Sequence, residues 1–306
     1  MKKLLALLLA LLMMFSFVAC EKDSDKDTDK DDDKSSVTDK NDGSGEKEDD
    51  DKELEFVFEE TVVVDNDECL IKITDIDSED FFGYTLKAEL ENKSSDKTYV
   101  FSVDSASVNG VQCSPLFYSE IAAGKKAKED ISFGGDQLEE KGITEYTDIE
   151  LTFRVYDSED WMADDIAVET VNIYPYGEEN ATKFVRESKD TDNVIMDNEY
   201  AKVTVIECGK DEFWGYTASL YIENKSDKTL MISADDVAVN GYMADPLFAT
   251  SVSEGKVAFS SMSWSDETFE ENGITDVEEI EFTLTVTDAD DWLADSFAEE
   301  VITLNP

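Results

Sequence analysis

The stretch Ile149-Glu150-Leu151-Thr152-Phe153-Arg154-Val155-Tyr156-Asp157 decides the fold of this 306-residue chain. Apolar and polar residues alternate along it with a period of two. This alternation predicts a β-strand that buries one face and exposes the other to water. The pattern returns at Ile280-Glu281-Phe282-Thr283-Leu284-Thr285-Val286-Thr287-Asp288. The sequence therefore indicates that one strand-rich unit occurs twice.

Further matches around these two strands show that the chain contains an internal duplication. The matching segments are Gly83-Tyr84-Thr85 with Gly215-Tyr216-Thr217, Glu91-Asn92-Lys93-Ser94 with Glu223-Asn224-Lys225-Ser226, Val108-Asn109-Gly110 with Val239-Asn240-Gly241, and Pro115-Leu116-Phe117 with Pro246-Leu247-Phe248. We therefore expect one repeat over residues 53–176 and a second over residues 194–306. Residues 177–193 are predicted to be a linker, with the relative orientation of the repeats left open.

Short strands and turns dominate each predicted repeat. The two Asn-Gly pairs are typical of type I′ hairpin turns, because both central residues of such a turn need positive φ. One helical turn is expected in each repeat. In the first repeat, Asp136 would cap the helix and Gly142 would end it. In the second repeat, Asp266 would be the cap and Gly273 the end. Seven or eight strands in about 115 residues predict an antiparallel sandwich.

The motifs Glu-Asn-Lys-Ser, Asn-Gly, Ala123-Gly124-Lys125 and Gly142-Ile143-Thr144 also carry a family resemblance. In this order they resemble the immunoglobulin-like, telokin-like modules of Gram-positive surface lipoproteins, over nearly all of residues 60–306. The resemblance implies an all-β fold of two tandem immunoglobulin-like antiparallel β-sandwich domains. It implies little about activity, because a fold of this kind hosts many functions.

The N-terminus has the three parts of a secretion signal, so residues 1–19 are predicted to be a signal peptide. Val18-Ala19-Cys20 resembles the lipobox of bacterial lipoproteins, which implies that Cys20 is lipidated. An ordinary cleaved signal is the alternative. Residues 20–52 are then the lipidated cysteine and a disordered acidic tether. The expected location is the extracytoplasmic face of the cell membrane.

The charge of the chain is strongly negative, with 75 acidic residues, 26 basic residues and a net charge of -49. A surface of this kind repels nucleic acid, so no nucleic-acid partner is expected. The expected partners are the membrane, through the lipid anchor, and a surface protein or another cationic partner. The leading explanation of the charge is that it keeps a surface protein soluble.

Histidine is absent from the chain, and this limits the chemistry that the chain can perform. Without it there is no Ser-His-Asp or Cys-His catalysis and no histidine zinc site. We therefore expect a non-enzymatic binding or spacer module whose ligand is unknown. The alternative is a calcium-dependent or carboxylate-based hydrolase of wall or glycan polymers.

Two acidic segments follow the alternating strands at equivalent places in the repeats. Each is expected to form a hairpin loop at one end of its sandwich. Calcium needs six to eight oxygen ligands, so calcium is the one cofactor that these loops suggest, and a solvated acidic turn is the alternative. The candidate ligands are Asp157, Glu159, Asp160 and Asp164 in the first loop and Asp288, Asp290, Asp291 and Asp295 in the second.

Aromatic residues at equivalent places are the other candidates for binding. Trp161 and Trp292 lie in the acidic segments, where each either forms an exposed binding platform or folds back onto the sandwich. Phe81-Phe82 and Phe213-Trp214 precede the two Gly-Tyr-Thr motifs. We expect both pairs in the core, and an exposed binding platform is the alternative.

Three cysteines lie within the predicted repeats, at Cys69, Cys113 and Cys208. Their positions do not correspond between the two copies, so no disulfide bond can belong to the shared fold. Buried free thiols are expected, and a pair between Cys69 and Cys113 is the alternative.

Overall fold

The computed structural model describes residues 54–134, 138–291 and 293–306. The predicted signal peptide, Cys20, the acidic tether, Asp136 and Trp292 lie outside these described residues. Residues Lys52–Pro306 form one compact unit. Within it, each repeat has its own hydrophobic core, and we call residues 54–176 lobe 1 and residues 193–306 lobe 2.

Nine strands build lobe 1. They are β1 (Thr61–Asp65), β2 (Cys69–Asp77), β3 (Tyr84–Asn92), β4 (Tyr99–Val108), β5 (Val111–Cys113), β6 (Tyr118–Ile121), β7 (Lys126–Phe133), β8 (Ile149–Asp157) and β9 (Ala167–Ile173). One sheet has the order β1-β2-β3-β7. The other contains β5, β4, β8 and β9 in that order, with β6 paired to β4.

Lobe 2 repeats this arrangement. Its strands are β10 (Asn193–Asp197), β11 (Ala201–Asp211), β12 (Gly215–Asn224), β13 (Leu230–Val239), β14 (Tyr242–Met243), β15 (Ala249–Val252), β16 (Val257–Trp264), β17 (Ile280–Asp288) and β18 (Ala298–Leu304). Strands β10-β11-β12-β16 lie in one sheet and β14-β13-β17-β18 in the other, with β15 paired to β13.

The predicted strand alternation accounts for the two cores. Ile149, Leu151, Phe153 and Val155 on β8 are all buried, and the residues between them are partly exposed. Strand β17 repeats the pattern with only small differences. Because every second side chain of these strands leaves water, two sheets must pack face to face. The all-β sandwich fold predicted from the sequence is confirmed.

The two Asn-Gly pairs form the predicted hairpin turns. Asn109 and Gly110 have φ values of 51° and 80°, and Asn240 and Gly241 have values of 50° and 79°. The asparagine side chain has a second role, because Asn109 Oδ1 accepts hydrogen bonds from the backbone N–H of Thr147 and of Asp148, at 3.0 and 3.1 Å. Each turn therefore also holds the connection that leads into the long alternating strand.

The helical turn of lobe 2 is α1 (Asp266–Asn272), and its cap differs from the prediction. Ser265 is the N-cap, since its Oγ accepts the Thr268 N–H at 3.2 Å. Asp266 is instead the first helical residue, where its negative charge faces the positive end of the helix dipole. Gly273 ends the helix with φ of 69°, as predicted. Gly142, at the corresponding place in lobe 1, also has positive φ.

A buried asparagine holds together the loops at one end of each sandwich. In lobe 2, Asn224 Nδ2 donates to the backbone carbonyls of Lys228 and Val252, at 2.7 and 2.8 Å. Asn92 makes the matching bonds to Lys97 O and Ile121 O in lobe 1. The repeated Glu-Asn-Lys-Ser motif is therefore a structural motif, in which the asparagine amide satisfies carbonyls that have left the sheet.

Replacing Asn224 by alanine is expected to destabilise the chain by about 2–4 kcal/mol, because it leaves buried carbonyl groups without donors. Urea unfolding of residues 52–306 measures this change. Asn180→Ala is the matched control, because Asn180 Nδ2 donates only to Tyr176 O in a partly exposed turn. Equal losses in the two variants would contradict the structural role of Asn224.

The two lobes share one continuous sheet. Strand β5 of lobe 1 pairs in parallel with β16 of lobe 2, which gives a nine-stranded sheet that runs β10-β11-β12-β16-β5-β4-β8-β9 with β6 beside β4. Val257 N–H donates to Gly110 O at 3.0 Å. The Gln112 side chain donates to Ser251 O and accepts from Ser253 N–H. We call these contacts the joint.

The segment 177–193 packs beside the joint. Phe184 N–H donates to Asn109 O at 2.8 Å, and the Phe184 ring lies 6.0 Å from the Phe259 ring between centroids. Val185, which follows, is exposed. Phe184 thus contributes an aromatic contact between the segment and lobe 2.

An ion pair links two residues within the segment 177–193. Arg186 donates two hydrogen bonds to the carboxylate of Asp192, at 2.6 and 2.8 Å, and both side chains are largely buried. The guanidinium and the Lys189 N–H lower the pKa of Asp192 to about 2. A depressed pKa means that the ionised carboxylate is favoured in the folded chain.

The Arg186–Asp192 pair should make stability depend on pH in the acid range. Because the folded-state pKa is lowered, the contribution is complete above the ordinary aspartate pKa and is lost as the pH falls through about 2. Asp192→Asn should therefore lower the melting temperature at pH 6 and have a shrinking effect as the pH approaches 2. A difference between variant and wild type that does not change with pH would contradict this assignment.

Candidate functional site

The turn between β2 and β3 exposes two aromatic residues. Asp80 Oδ1 accepts the Phe82 N–H at 3.0 Å, and Gly83 adopts a positive φ of 97°. This tight turn directs both rings away from the core. Phe81 is 93% exposed and Phe82 is 63% exposed, with the rings edge to face at 5.1 Å.

The equivalent turn of lobe 2 also uses an aspartate and a glycine, with the aspartate four residues before the glycine and not three. Asp211 Oδ1 accepts the N–H groups of Phe213 and Trp214, at 2.7 and 2.9 Å. Gly215 is required here, because a Cβ atom would lie 2.2 Å from Trp264 O and its φ is positive. Phe213 is 91% exposed, and Trp214 is 61% exposed. We call the pairs Phe81–Phe82 and Phe213–Trp214 the aromatic tips.

The expectation that these two pairs lie in the core is wrong. An aspartate in each turn captures the backbone N–H of the residues after it, and a glycine then reverses the chain. The aromatic residues occupy the outside of this reversal and cannot reach the space between the sheets. The signal that would have located them is the spacing of Asp80 and Gly83, which predicts a turn more strongly than the aromatic pair predicts burial.

A negative charge lies at the base of each tip. The Phe82 N–H and the Lys87 ammonium lower the pKa of the Asp80 carboxyl. The N–H groups of Trp214 and Phe213 lower the pKa of Asp211 in the same way. Both carboxylates therefore stay ionised at neutral pH. Asp80 is paired with Lys87 at 3.2 Å, whereas Asp211 is contacted by backbone N–H groups.

The acidic segments form the predicted hairpin loops, between β8 and β9 and between β17 and β18. At their bases, two of the predicted calcium ligands already have partners. Asp157 pairs with Lys97 at 2.9 Å, and Asp288 pairs with Lys228. The lysine is the first cause of a lowered pKa at both aspartates, followed by a backbone N–H.

The other candidate ligands, Glu159, Asp160, Asp164, Asp290, Asp291 and Asp295, are exposed along the two loops. Across residues 54–134, 138–291 and 293–306, no group of three acidic or cysteine side chains is placed to hold a metal ion. An open depression of about 670 Å³ lies beside the first loop. Lysines and carboxylates both line it, including Lys93, Glu68 and Asp164.

Trp161 lies on the first acidic loop and does not fold back onto the sandwich. It is 65% exposed, and Met162 beside it is exposed as well. This loop and the aromatic tip of lobe 1 occupy opposite ends of the sandwich, because Lys97, which holds the loop, follows the end of β3 whereas the tip precedes its start. The candidate aromatic residues of one lobe therefore do not form a single patch.

The free cysteines add no reactive site. Within the described chain, Cys69, Cys113 and Cys208 are all unpaired, with Cys69 buried and the other two partly exposed. Burial raises the pKa of Cys69 to about 11 and that of Cys113 to about 12. A thiol that stays protonated at neutral pH is a poor nucleophile.

Comparisons with known proteins assign no family to the chain. No family model matches it, and no curated protein matches it. A solved structure with a weak similarity is a red sea bream transglutaminase, at 14% identity and a TM-score of 0.20 over 76% of this chain and 31% of that chain. The chain thus spans about a third of the length of that enzyme. In the part of the chain that the structure describes, no helix has the length and apolar character needed to cross a membrane.

Calcium is expected to leave the melting temperature of residues 52–306 unchanged, because lysine and backbone N–H groups already satisfy Asp157 and Asp288. Thermal unfolding with calcium and with a chelator measures this. A ligand that binds only the folded state must stabilise it, so a higher melting temperature in calcium would establish a site that the described side chains do not form.

Proposed function

We propose that the chain is a membrane-anchored surface lipoprotein that acts as a non-enzymatic binding module. Lipidation at Cys20 would hold it at the extracytoplasmic face of the membrane, and residues 20–52 would separate the compact unit from the lipid. The binding surfaces would be the aromatic tips. The roles given to Cys20 and the tether are inferred from their sequence pattern alone.

The observation that carries the proposal is that both lobes expose an aromatic pair at the same turn. An apolar side chain loses about 1.5–3 kcal/mol of favourable burial when it stays in water. The turns that create this exposure each use an aspartate and a glycine. Exposed aromatic residues held on a defined turn are typical of interaction surfaces, where such side chains supply most of the binding energy.

The charge around the tips favours a cationic partner. Asp211 is ionised at the base of the lobe 2 tip, and Asp80 at the lobe 1 tip is ionised and paired with Lys87 at 3.2 Å. The chain as a whole carries a net charge of -49. Aromatic faces also attract lysine and arginine directly. We therefore assign the tips to a basic protein segment at the cell surface.

A carboxylate-based hydrolase is the alternative function, and the depression beside the first acidic loop is the place where it would act. Glu68 in this depression accepts a hydrogen bond from the Tyr99 hydroxyl at 2.6 Å. Asp164 also lines this depression, together with lysine side chains. No arrangement of these groups favours this function over binding.

Removal of the four tip aromatics should weaken binding to a lysine-rich synthetic peptide by at least about tenfold. The variant is Phe81→Ala, Phe82→Ala, Phe213→Ala and Trp214→Ala in residues 52–306. The four side chains are exposed, so the melting temperature should change by no more than about 2 °C. Binding is measured by titration calorimetry. A blue shift of tryptophan emission that the wild type shows and the tip variant lacks reports that the Trp214 ring leaves water.

Val185→Ala with Val301→Ala is the matched control, because both side chains are exposed and apolar but lie outside the tips. This variant should bind the peptide as the wild type does. If the tip variant also binds unchanged, the attraction is due to net charge alone and the assignment of the tips is wrong.

A further inference from the structure

The duplication supplies two copies of each edge strand that forms the joint, and the joint uses only one copy of each. The nine-stranded sheet combines β10, β11, β12 and β16 of lobe 2 with the β4, β5, β6, β8 and β9 strands of lobe 1. The complementary halves stay separate. Lobe 1 retains a four-stranded sheet that ends at β7, and lobe 2 retains a five-stranded sheet that ends at β14. By position in the repeat, β7 corresponds to β16 and β14 corresponds to β5.

We propose that a second copy of this chain docks at the β14 edge of lobe 2 through its own β7 edge. The contact would reproduce the joint between molecules and join a five-stranded and a four-stranded sheet into another nine-stranded sheet. It is heterologous, since the two surfaces differ, so a pair of docked copies still has one β14 edge and one β7 edge open. This proposal concerns the backbone edges and does not depend on the ligand of the aromatic tips.

The groups that form the hydrogen bond and the ion pair of the joint have equivalents at the β7 and β14 edges. In the joint, Lys256 pairs with Glu150 across the lobes at 2.8 Å. Their equivalents are Lys125 and Glu281, which are exposed and form no ion pair in the described part of the chain. Lys126 N–H and Gly241 O correspond to Val257 N–H and Gly110 O, which are hydrogen-bonded in the joint.

The β14 edge is apolar, and no strand in the described part of the chain pairs with its outer side. Val111 on β5 is 1% exposed, whereas its equivalent Tyr242 is 55% exposed and the next residue, Met243, is 64% exposed. An edge strand with exposed apolar side chains and unpaired backbone groups is a template for strand addition. Because β5 is covered by lobe 2, the equivalent strand β14 has the geometry to accept a similar sheet.

Charge favours the β7 edge as the occupant. Three acidic residues, Asp276, Glu278 and Glu279, surround the Asn240-Gly241 hairpin that leads into β14, and Asn240 bonds to the backbone of all three. Lys125 directly precedes β7, and Lys126 and Lys128 lie at its start, where Lys126 also pairs with Glu91 at 2.9 Å. An acidic hairpin on one copy therefore meets a lysine-rich edge on the next.

The contact between copies should be weaker than the joint. Gln112 bonds to β15 in the joint, and its equivalent at the β14 edge is Met243. The equivalent of Phe259 at the β7 edge is Lys128. A reversible contact of this kind depends on concentration. We therefore expect monomers at low concentration and a series of larger species as the concentration rises.

Sedimentation equilibrium of residues 52–306 tests the proposal, at about 0.15 M salt so that long-range repulsion between acidic copies is screened. The weight-average mass of the wild type should increase with concentration. Lys125→Glu and Glu281→Lys should each weaken association by about tenfold, and the double variant should recover it, because the opposite charges meet again. Glu169→Lys and Lys189→Glu are exposed controls with the same charge changes.

Cysteine crosslinking tests the register independently. Tyr242↔Lys126 is the pair equivalent to Val111↔Val257 in the joint. A mixture of Tyr242→Cys and Lys126→Cys chains should form a disulfide-linked dimer, whereas Tyr242→Cys mixed with Lys210→Cys should not. A chain that stays monomeric to roughly 1 mM, or one that associates without forming the first of these crosslinks, would overturn the proposal.

Discussion

The turn at Asn109 and Gly110 is the constraint on which the arrangement of the two lobes depends. The positive φ values of the two residues reverse the chain between β4 and β5, the strand that pairs with lobe 2. Asn109 O accepts the N–H of Phe184 and Gly110 O accepts the N–H of Val257, so two consecutive carbonyls hold the connecting segment and the neighbouring sheet. An asparagine followed by a glycine meets both needs, since each tolerates the left-handed region.

The repeats are alike in their cores but differ where the joint forms. Val257 and Phe259 on β16 present apolar side chains to lobe 1, whereas the equivalent positions on β7 are Lys126 and Lys128. An edge that carries lysines resists uncontrolled strand pairing, because burying an unpaired ammonium is costly. The difference lets β16 pack against lobe 1 and gives the β7 edge a positive charge that favours an acidic surface.

Much of this fold could be predicted from the sequence because its signals are local. The alternation from Ile149 to Val155 and the Asn-Gly turns depend on neighbouring residues, and the structure has both. The joint could not be predicted, because it depends on Gln112 meeting backbone groups of Ser251 and Ser253, more than a hundred positions away. No local pattern encodes a meeting of that kind.

The candidate surfaces were harder to predict for a related reason. Hydrophobicity alone predicts that Phe81 and Phe82 are buried. They are exposed because the turn made by the Phe82 N–H bond to Asp80 and by Gly83 keeps them outside the core. In the acidic loops, the carboxylates suggested a cation, and the cation at the base of the first loop is the ammonium of Lys97. This lysine lies far from Asp157 in sequence and reaches it only through the pairing of β4 with β8.

The joint also gives the two aromatic tips different surroundings. The lobe 1 tip lies at the end of its sandwich that carries the Asn109-Gly110 turn, so it is on the side of the joint. The lobe 2 tip lies at the end that carries Asn240-Gly241 and the open β14 edge. Docking of a further copy at β14 would give Phe213–Trp214 the surroundings that Phe81–Phe82 already has. A row of equivalent tips would then bind an extended partner through many weak contacts, and the effective concentration of neighbouring tips would raise the overall affinity without any new contact.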